Sequence, residues 1–252
     1  MPRNILHFGG NGHASIRLGP AREAMARRCP GLELADVAYP GFEGRPGSAS
    51  RVAFFDALAR SIREVPGPPA GAVASGIGAL IALGLRARGE LAGVPLVFGG
   101  PVLWGLETRA FPRVMRRLPA ARGLLRVAFA TPLFRRRFAR KHFEVPPGPA
   151  FLAGFFEGYA RCSAFGDFFD WFSPAWLREL EGEFARRPEA LGRVTIWVGG
   201  RDHVVGLDDV RATARALGVA WPVERFEGWG HYPMIDVPEE WADALCRTLA
   251  PA

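Results

Sequence analysis

Short apolar runs alternate with segments of helical period along the first hundred residues. Asn4–Phe8 (NILHF) is an apolar run that ends in the glycine cluster Gly9–Gly12, the pattern of a buried strand and a loop. Pro20–Arg28 suits a helix, with Pro20 tolerated at its first position. Leu32–Ala38 reads as a second strand, closed by the turn residues of YPGFEGRPGS. Over Ser50–Val65 the residues Val52, Phe55, Leu58, Ala59 and Ile62 share one helical face. Gly71–Ala74 is a brief strand, Gly78–Arg88 a strongly apolar helix and Val94–Gly99 the next strand. A β-α-β-α-β succession predicts a parallel sheet with helices on both faces.

The rhythm breaks at about residue 102. From there to about 188 no strong strand is present; the segment is helical in pattern, aromatic, and punctuated by Pro132, Pro146, Pro147, Pro149 and Pro174. The sheet pattern resumes with a strand at Val194–Val198, a helix at Asp208–Leu217, a strand at Val223–Phe226 and a helix at Pro238–Leu249. The expectation is an α/β core formed by residues 1–101 and 189–252, interrupted by a helical insertion at 102–188. A chain of 252 residues fits one such domain.

Four stretches carry more than secondary structure. HFGGNGHAS (7–15) is a glycine-rich loop after the first strand, and DVAYPGFEGRPGS (36–48) follows the second. VTIWVGGRDHVV (194–205) ends a strand on an acid, and RFEGWGHYPMIDVPEEWADAL (225–245) carries a histidine after the last strand. Between them, GAVASGIGALIALGLRAR (71–88) runs from strand to helix through ASGIG. In this order and spacing the stretches resemble the α/β-hydrolase superfamily, in particular its capped epoxide-hydrolase and esterase-like branch. The resemblance covers nearly all of the sheet portion and implies an α/β-hydrolase fold with an inserted helical cap at 102–188.

The same resemblance assigns roles. The strand-to-helix turn of that fold is a nucleophile elbow, small–x–nucleophile–x–small, too sharp for bulky residues at its flanks. One register fits: Ala74 and Gly78 are the small residues and Gly76 stands at the nucleophile position. With Ser75 as nucleophile, β-branched Val73 and Ile77 would occupy the small sites. The elbow tip requires positive φ, which glycine adopts without cost, so the elbow persists while its nucleophile is absent. Asp202 matches the triad acid and His231 the triad histidine; the acid would hold Nδ1 and leave Nε2 for chemistry. The backbone amides of Phe8 and Ile77 are the implied oxyanion hole. His7 is expected to order its own loop, His13 to lie near the mouth of the site, and His142 and His203 to be exposed.

Charge changes the picture in one place. The net charge of +7 conceals ten Arg or Lys and no Asp or Glu between Arg113 and Lys141, which leaves the remainder of the chain at −3. A basic segment of this kind is either a solvated face or a site for an anionic carrier or a membrane surface. Nucleic acid is not expected as a partner. Cys29, Cys162 and Cys246 form no motif and read as reduced thiols; no metal or cofactor is implied. The N-terminal residues lack a signal-peptide pattern and no 20-residue apolar run occurs, so the expected location is cytoplasmic.

Three functions are compatible with an elbow lacking its nucleophile. In the first, His231 and Asp202 act as a general base in non-covalent chemistry of lyase, isomerase, cofactor-free or water-mediated hydrolytic type. The substrate would be small and hydrophobic, bound under the cap. In the second, Ser75 is recruited as the nucleophile of an ester or thioester hydrolase. In the third, the chain is a non-catalytic binding module. Retention of both Asp202 and His231 favours the first.

Overall fold

In the computed structural model, which describes residues 2–104 and 109–250, six strands form one fully parallel sheet. They are β1 (Arg3–Phe8), β2 (Leu32–Asp36), β3 (Gly71–Gly76), β4 (Leu96–Pro101), β5 (Val194–Gly199) and β6 (Val223–Phe226). Their spatial order is β2-β1-β3-β4-β5-β6. The chain therefore moves left from β1 to β2 and right from β1 to β3. Sheets of this kind place their crevice beyond the C-terminal ends of the strands where the order reverses. Here that position is flanked by the glycine-rich loop after β1 and the turn after β3.

Side-chain alternation explains how the sheet is covered. Ile5, Val73, Val97 and Trp197 point to one face, where they meet α1 (Gly19–Arg28) and α12 (Pro238–Leu249). Their neighbours Leu6, Ala72, Ala74, Phe98, Ile196 and Val198 point to the other, against α2 (Arg51–Glu64) and α3 (Gly78–Ala87). Because both faces are buried, the strands read as continuous apolar runs rather than alternating ones. Every residue of α3 is buried, as expected of a helix apolar on all sides. In α2 the buried face differs by one position from the sequence reading. Phe54, Phe55, Leu58 and Ala59 are buried, while Val52 is 59% exposed in the first turn, where Ser50 caps the helix by accepting from the Ala53 amide.

Between β4 and β5 the described chain is helical: α4 (Ala110–Arg117), α5 (Pro119–Ala130), α6 (Pro132–His142), α7 (Pro149–Ala160), α8 (Asp167–Trp171) and α9 (Pro174–Arg186). Prolines open α5, α6, α7 and α9, where a missing amide costs nothing. Residues 105–108 of the expected insertion lie outside the described residues. The helix α10 (Leu207–Leu217) joins β5 to β6, and the short α11 (Pro233–Asp236) precedes α12.

The cysteine expectation is corrected. Cys29 and Cys246 form a disulfide with Cα atoms 6.5 Å apart, across 217 residues of sequence. The reason is topological: α1 and α12 pack side by side on one sheet face, so positions remote in sequence meet there. Cys162 is buried and free, and burial pushes its thiol up to about 12.

Candidate active site

The turn from β3 into α3 is sharp at Gly76, where φ is +53°. Its carbonyl accepts from the Val102 amide at 3.0 Å, and the pairing with β4 shifts register between Ser75 and Gly76. Gly78 has no room for a side chain, because a Cβ there would strike the carbonyl oxygens of Phe8 and Gly9. At Gly76 the opposite holds: the nearest atom to an added Cβ is the Gly10 Cα at 3.7 Å, an ordinary contact. The turn is thus closed to bulk at Gly78 and open at Gly76. Ser75 is half-buried and borders the same cavity as Gly76.

The residues across the turn differ from the sequence reading. Phe8 is the last residue of β1, pairs with Ala74 and is fully buried in the core away from the cavity. Gly9 and Gly10 line the cavity instead. β1 ends at Phe8, where the glycine cluster begins, and the loop beyond it folds back so that Gly10 lies against the Gly76 position. Ile77 lines the cavity at the N-terminal end of α3.

Asp202 follows β5 in a tight turn, its side chain only 1% exposed. Its Oδ1 accepts from the amides of Val204 at 2.7 Å and Val205 at 3.0 Å. The same carboxylate meets Nδ1 of His231, with Oδ2 at 3.0 Å and Oδ1 at 3.2 Å. Burial pushes the Asp202 carboxyl up, but the hydrogen bond and charge of His231 and the two amides outweigh it and hold the group below its usual range. His231 lies in the loop between β6 and α11, is 13% exposed at the side chain, and lines the cavity with Gly76.

That cavity has a volume of about 550 Å³. Its floor is Gly10, Gly76, Ile77 and His231; its walls come from the helices between β4 and β5, chiefly Phe129, Phe134, Phe138 and Tyr159, with Phe165 and Phe169 beside them. The aromatics seen in the sequence thus divide between this wall and the core: Phe129 stacks on Tyr159 with centroids 4.1 Å apart, and Phe155 and Phe156 are fully buried.

His142 and His203 border the same cavity. His142, expected to be exposed, is half-buried at the end of α6 and lines the cavity, its ring centroid 6.3 Å from that of His231. Burial, followed by the charge of His231, pushes it down to about 4. The chain pattern could not reveal this, since α6 is basic and reads as solvated. His203 is exposed and stands at the cavity margin.

His7 and His13 both bond to Asp36, His7 through Nδ1 at 3.0 Å and His13 through Nε2 at 2.9 Å. Burial pushes the Asp36 carboxyl up, yet the two histidine hydrogen bonds hold it well below the usual carboxylate range. Desolvation likewise lowers His13. The three groups have ligand atoms within 4.8 Å of one another, a spacing that could hold a metal ion although no metal motif was legible in the sequence. The hydrogen bonds to Asp36 already account for the arrangement, which ties the glycine-rich loop to the end of β2.

The profile of the alpha/beta hydrolase family matches residues 16–244, and the chain belongs to that family. No curated protein sequence matches it. Among solved structures, the chain is similar to a bacterial membrane phospholipase A described as a virulence factor (TM-score 0.71, 19% identity, 98% of this chain and 78% of that one). It is similar also to the haloalkane dehalogenase DbeA from Bradyrhizobium elkani (TM-score 0.67, 17% identity, 99% and 90%). Bromoperoxidase from Bacillus anthracis matches with a TM-score of 0.71 at 15% identity over 100% and 93% of the two chains. At these identities the likeness establishes the fold alone.

Proposed function

We propose that the chain is an enzyme in which His231, oriented by Asp202, serves as a general base for non-covalent chemistry on a small hydrophobic carbonyl compound. The observation that carries this reading is the His231 Nδ1 contact with a buried Asp202, beside an elbow whose tip is Gly76. With Nδ1 engaged, Nε2 is free to take a proton from a carbon next to a carbonyl or from a water molecule. The amides of Gly10 and Ile77 are the donors proposed for the resulting oxyanion, with Gly10 replacing the Phe8 amide inferred from the sequence. The helices between β4 and β5 act as the cap, excluding water from an aromatic chamber. His142 faces the same space and, held neutral, can accept or relay a proton there.

The rival hydrolase reading rests on Ser75, which borders the cavity. A fluorophosphonate that traps nucleophilic serines decides between them. Intact-mass analysis is expected to show no adduct on the folded protein; stoichiometric labelling at Ser75 would establish the esterase reading. A folded protein that binds carbonyl compounds without turning any over would leave the binding-module reading in place.

For the basic segment, exposed apolar side chains favour a membrane surface over a soluble carrier. Among the described residues no helix is long and apolar enough to cross a membrane. On α5 and α6, however, Leu124, Val127 and Leu133 are 71%, 65% and 78% exposed, and Arg136, Arg137 and Arg140 are exposed beside them. Arg135 differs, since its Nε donates to the Phe129 carbonyl at 2.7 Å. Apolar side chains rimmed by arginine suit an anionic bilayer, where each basic residue near the surface contributes about 1 kcal/mol. The protein is expected to sediment with phosphatidylserine vesicles and not with phosphatidylcholine ones. Joint replacement of Arg136, Arg137 and Arg140 by Gln, or added salt, should release it. Absence of binding to the anionic vesicles would make the segment a solvated face.

A further inference from the structure

The cavity is apolar, yet it contains a buried cation. Arg17 follows the glycine-rich loop, is only 6% exposed and lines the cavity. Its guanidinium lies 3.8 Å from the centroid of the Phe155 ring and 4.7 Å from that of Tyr159. Nη2 donates to the Phe155 carbonyl at 3.0 Å, whereas Nε is buried with no acceptor. Among the described residues no carboxylate pairs with it, and no Asp or Glu lines the cavity.

A guanidinium keeps its charge across the physiological range, and removing it from water without a counter-charge is unfavourable. Arg86, the other buried arginine, shows what a structural role looks like. It lies outside the cavity and donates to the carbonyls of both Leu191 and Val94, closing the end of α3 against neighbouring loops, although its Nε, like that of Arg17, has no acceptor. Arg17 has one carbonyl, two aromatic faces that fix its plane, and a cavity in front of it. Such a fork matches the two oxygens of a carboxylate. The subsite also lies along the wall that leads to His231: Tyr159 covers Arg17, and Tyr232, the residue after His231, lines the same cavity.

We propose that Arg17 is an anion-binding subsite inside the cavity and that the ligand is a hydrophobic carboxylate, with its charged end at Arg17 and its apolar body among the phenylalanines. This deepens the proposed function and rests on its reading of the cavity as the ligand site, but it does not depend on what His231 does. Lys141 and Arg109 also line the cavity, with Arg109 paired to Asp209 at 2.6 Å, so the test must separate them from Arg17.

The test is calorimetric titration of the whole chain with 4-phenylbutyrate and its neutral isostere 4-phenylbutyramide. Charge-assisted hydrogen bonding predicts that the acid binds about tenfold or more tightly than the amide. Arg17→Gln should bring the two affinities together while the amide binds as before, and Arg17→Lys should restore part of the preference. Lys141→Gln and Arg109→Gln should leave the ratio unchanged. Because His231→Ala is judged on turnover elsewhere, failure of the catalytic reading and failure of the subsite are distinguishable. Should Arg17→Gln not fold, salt supplies the second measurement. A preference set by a buried pair persists at about 0.5 M salt, whereas one set at the exposed mouth is screened away. Equal affinities in the unmodified protein, no saturable binding of the acid, or a preference that survives Arg17→Gln or vanishes with Lys141→Gln overturns the proposal.

Discussion

Replacing His231 by alanine is expected to abolish turnover of small hydrophobic carbonyl compounds, with a loss of about 10²–10⁴-fold, the usual worth of a positioned general base. The argument is geometric. Asp202 is anchored by the Val204 and Val205 amides and holds His231 Nδ1 at 3.0 Å, so the imidazole has one orientation and one nitrogen left for the substrate. Removing the ring deletes the base but leaves the cavity, its aromatic wall and the Gly10 and Ile77 amides in place. Ligand affinity should therefore change far less than turnover. Ser75→Ala is the companion variant and should alter turnover little, because the proposed chemistry has no covalent intermediate. Full activity in a folded His231→Ala protein would remove the catalytic reading outright, and loss of activity in Ser75→Ala alone would transfer it to the hydrolase alternative.

What could be seen in advance follows from what is local. Parallel strands buried on both faces leave continuous apolar runs, so all six were visible, with boundaries shifted by at most two residues. The sharp turn from β3 into α3 was legible because its constraint is steric and falls on nearby residues: Gly78 abuts the Phe8 and Gly9 carbonyls, and Gly76 sits at φ +53°. The juxtaposition of Asp202 and His231 was inferred from family resemblance, not from the chain itself, since 29 residues separate them.

Four features were not legible, for one reason: each depends on which elements pack together. Gly10 lies against the Gly76 position because the loop after β1 folds back over the turn, a path that a glycine run does not specify. His142 sits in a basic helix and becomes half-buried only because α6 lies over the cavity. The Cys29–Cys246 disulfide requires α1 against α12. Arg17 follows the glycine loop within SIRL, where nothing marks it among 32 basic residues; its burial comes from Phe155 and Tyr159 on α7.

Restoring a serine at the elbow is the sharper experiment, and Gly76→Ser is expected to gain esterase activity toward activated esters such as p-nitrophenyl acetate. The site offers the required space, because a Cβ at position 76 meets nothing closer than the Gly10 Cα at 3.7 Å. The backbone is already at φ +53°, so the turn need not rearrange, although a non-glycine residue there carries a strain of about 1–2 kcal/mol. A modest fall in thermal stability should therefore accompany the gain. The new hydroxyl would stand in the cavity with His231, whose Nδ1 is committed to Asp202, and the Gly10 and Ile77 amides would face the developing oxyanion. Gain of function is more demanding than loss, since it requires base, acid and amides to be correctly placed at once. The expected signature is a burst of p-nitrophenol followed by slow turnover, together with a phosphonate adduct at position 76. Both should vanish in Gly76→Ser combined with His231→Ala. A folded Gly76→Ser protein with neither burst nor adduct would show that His231 and Asp202 are not arranged for catalysis, and the binding-module reading would then lead.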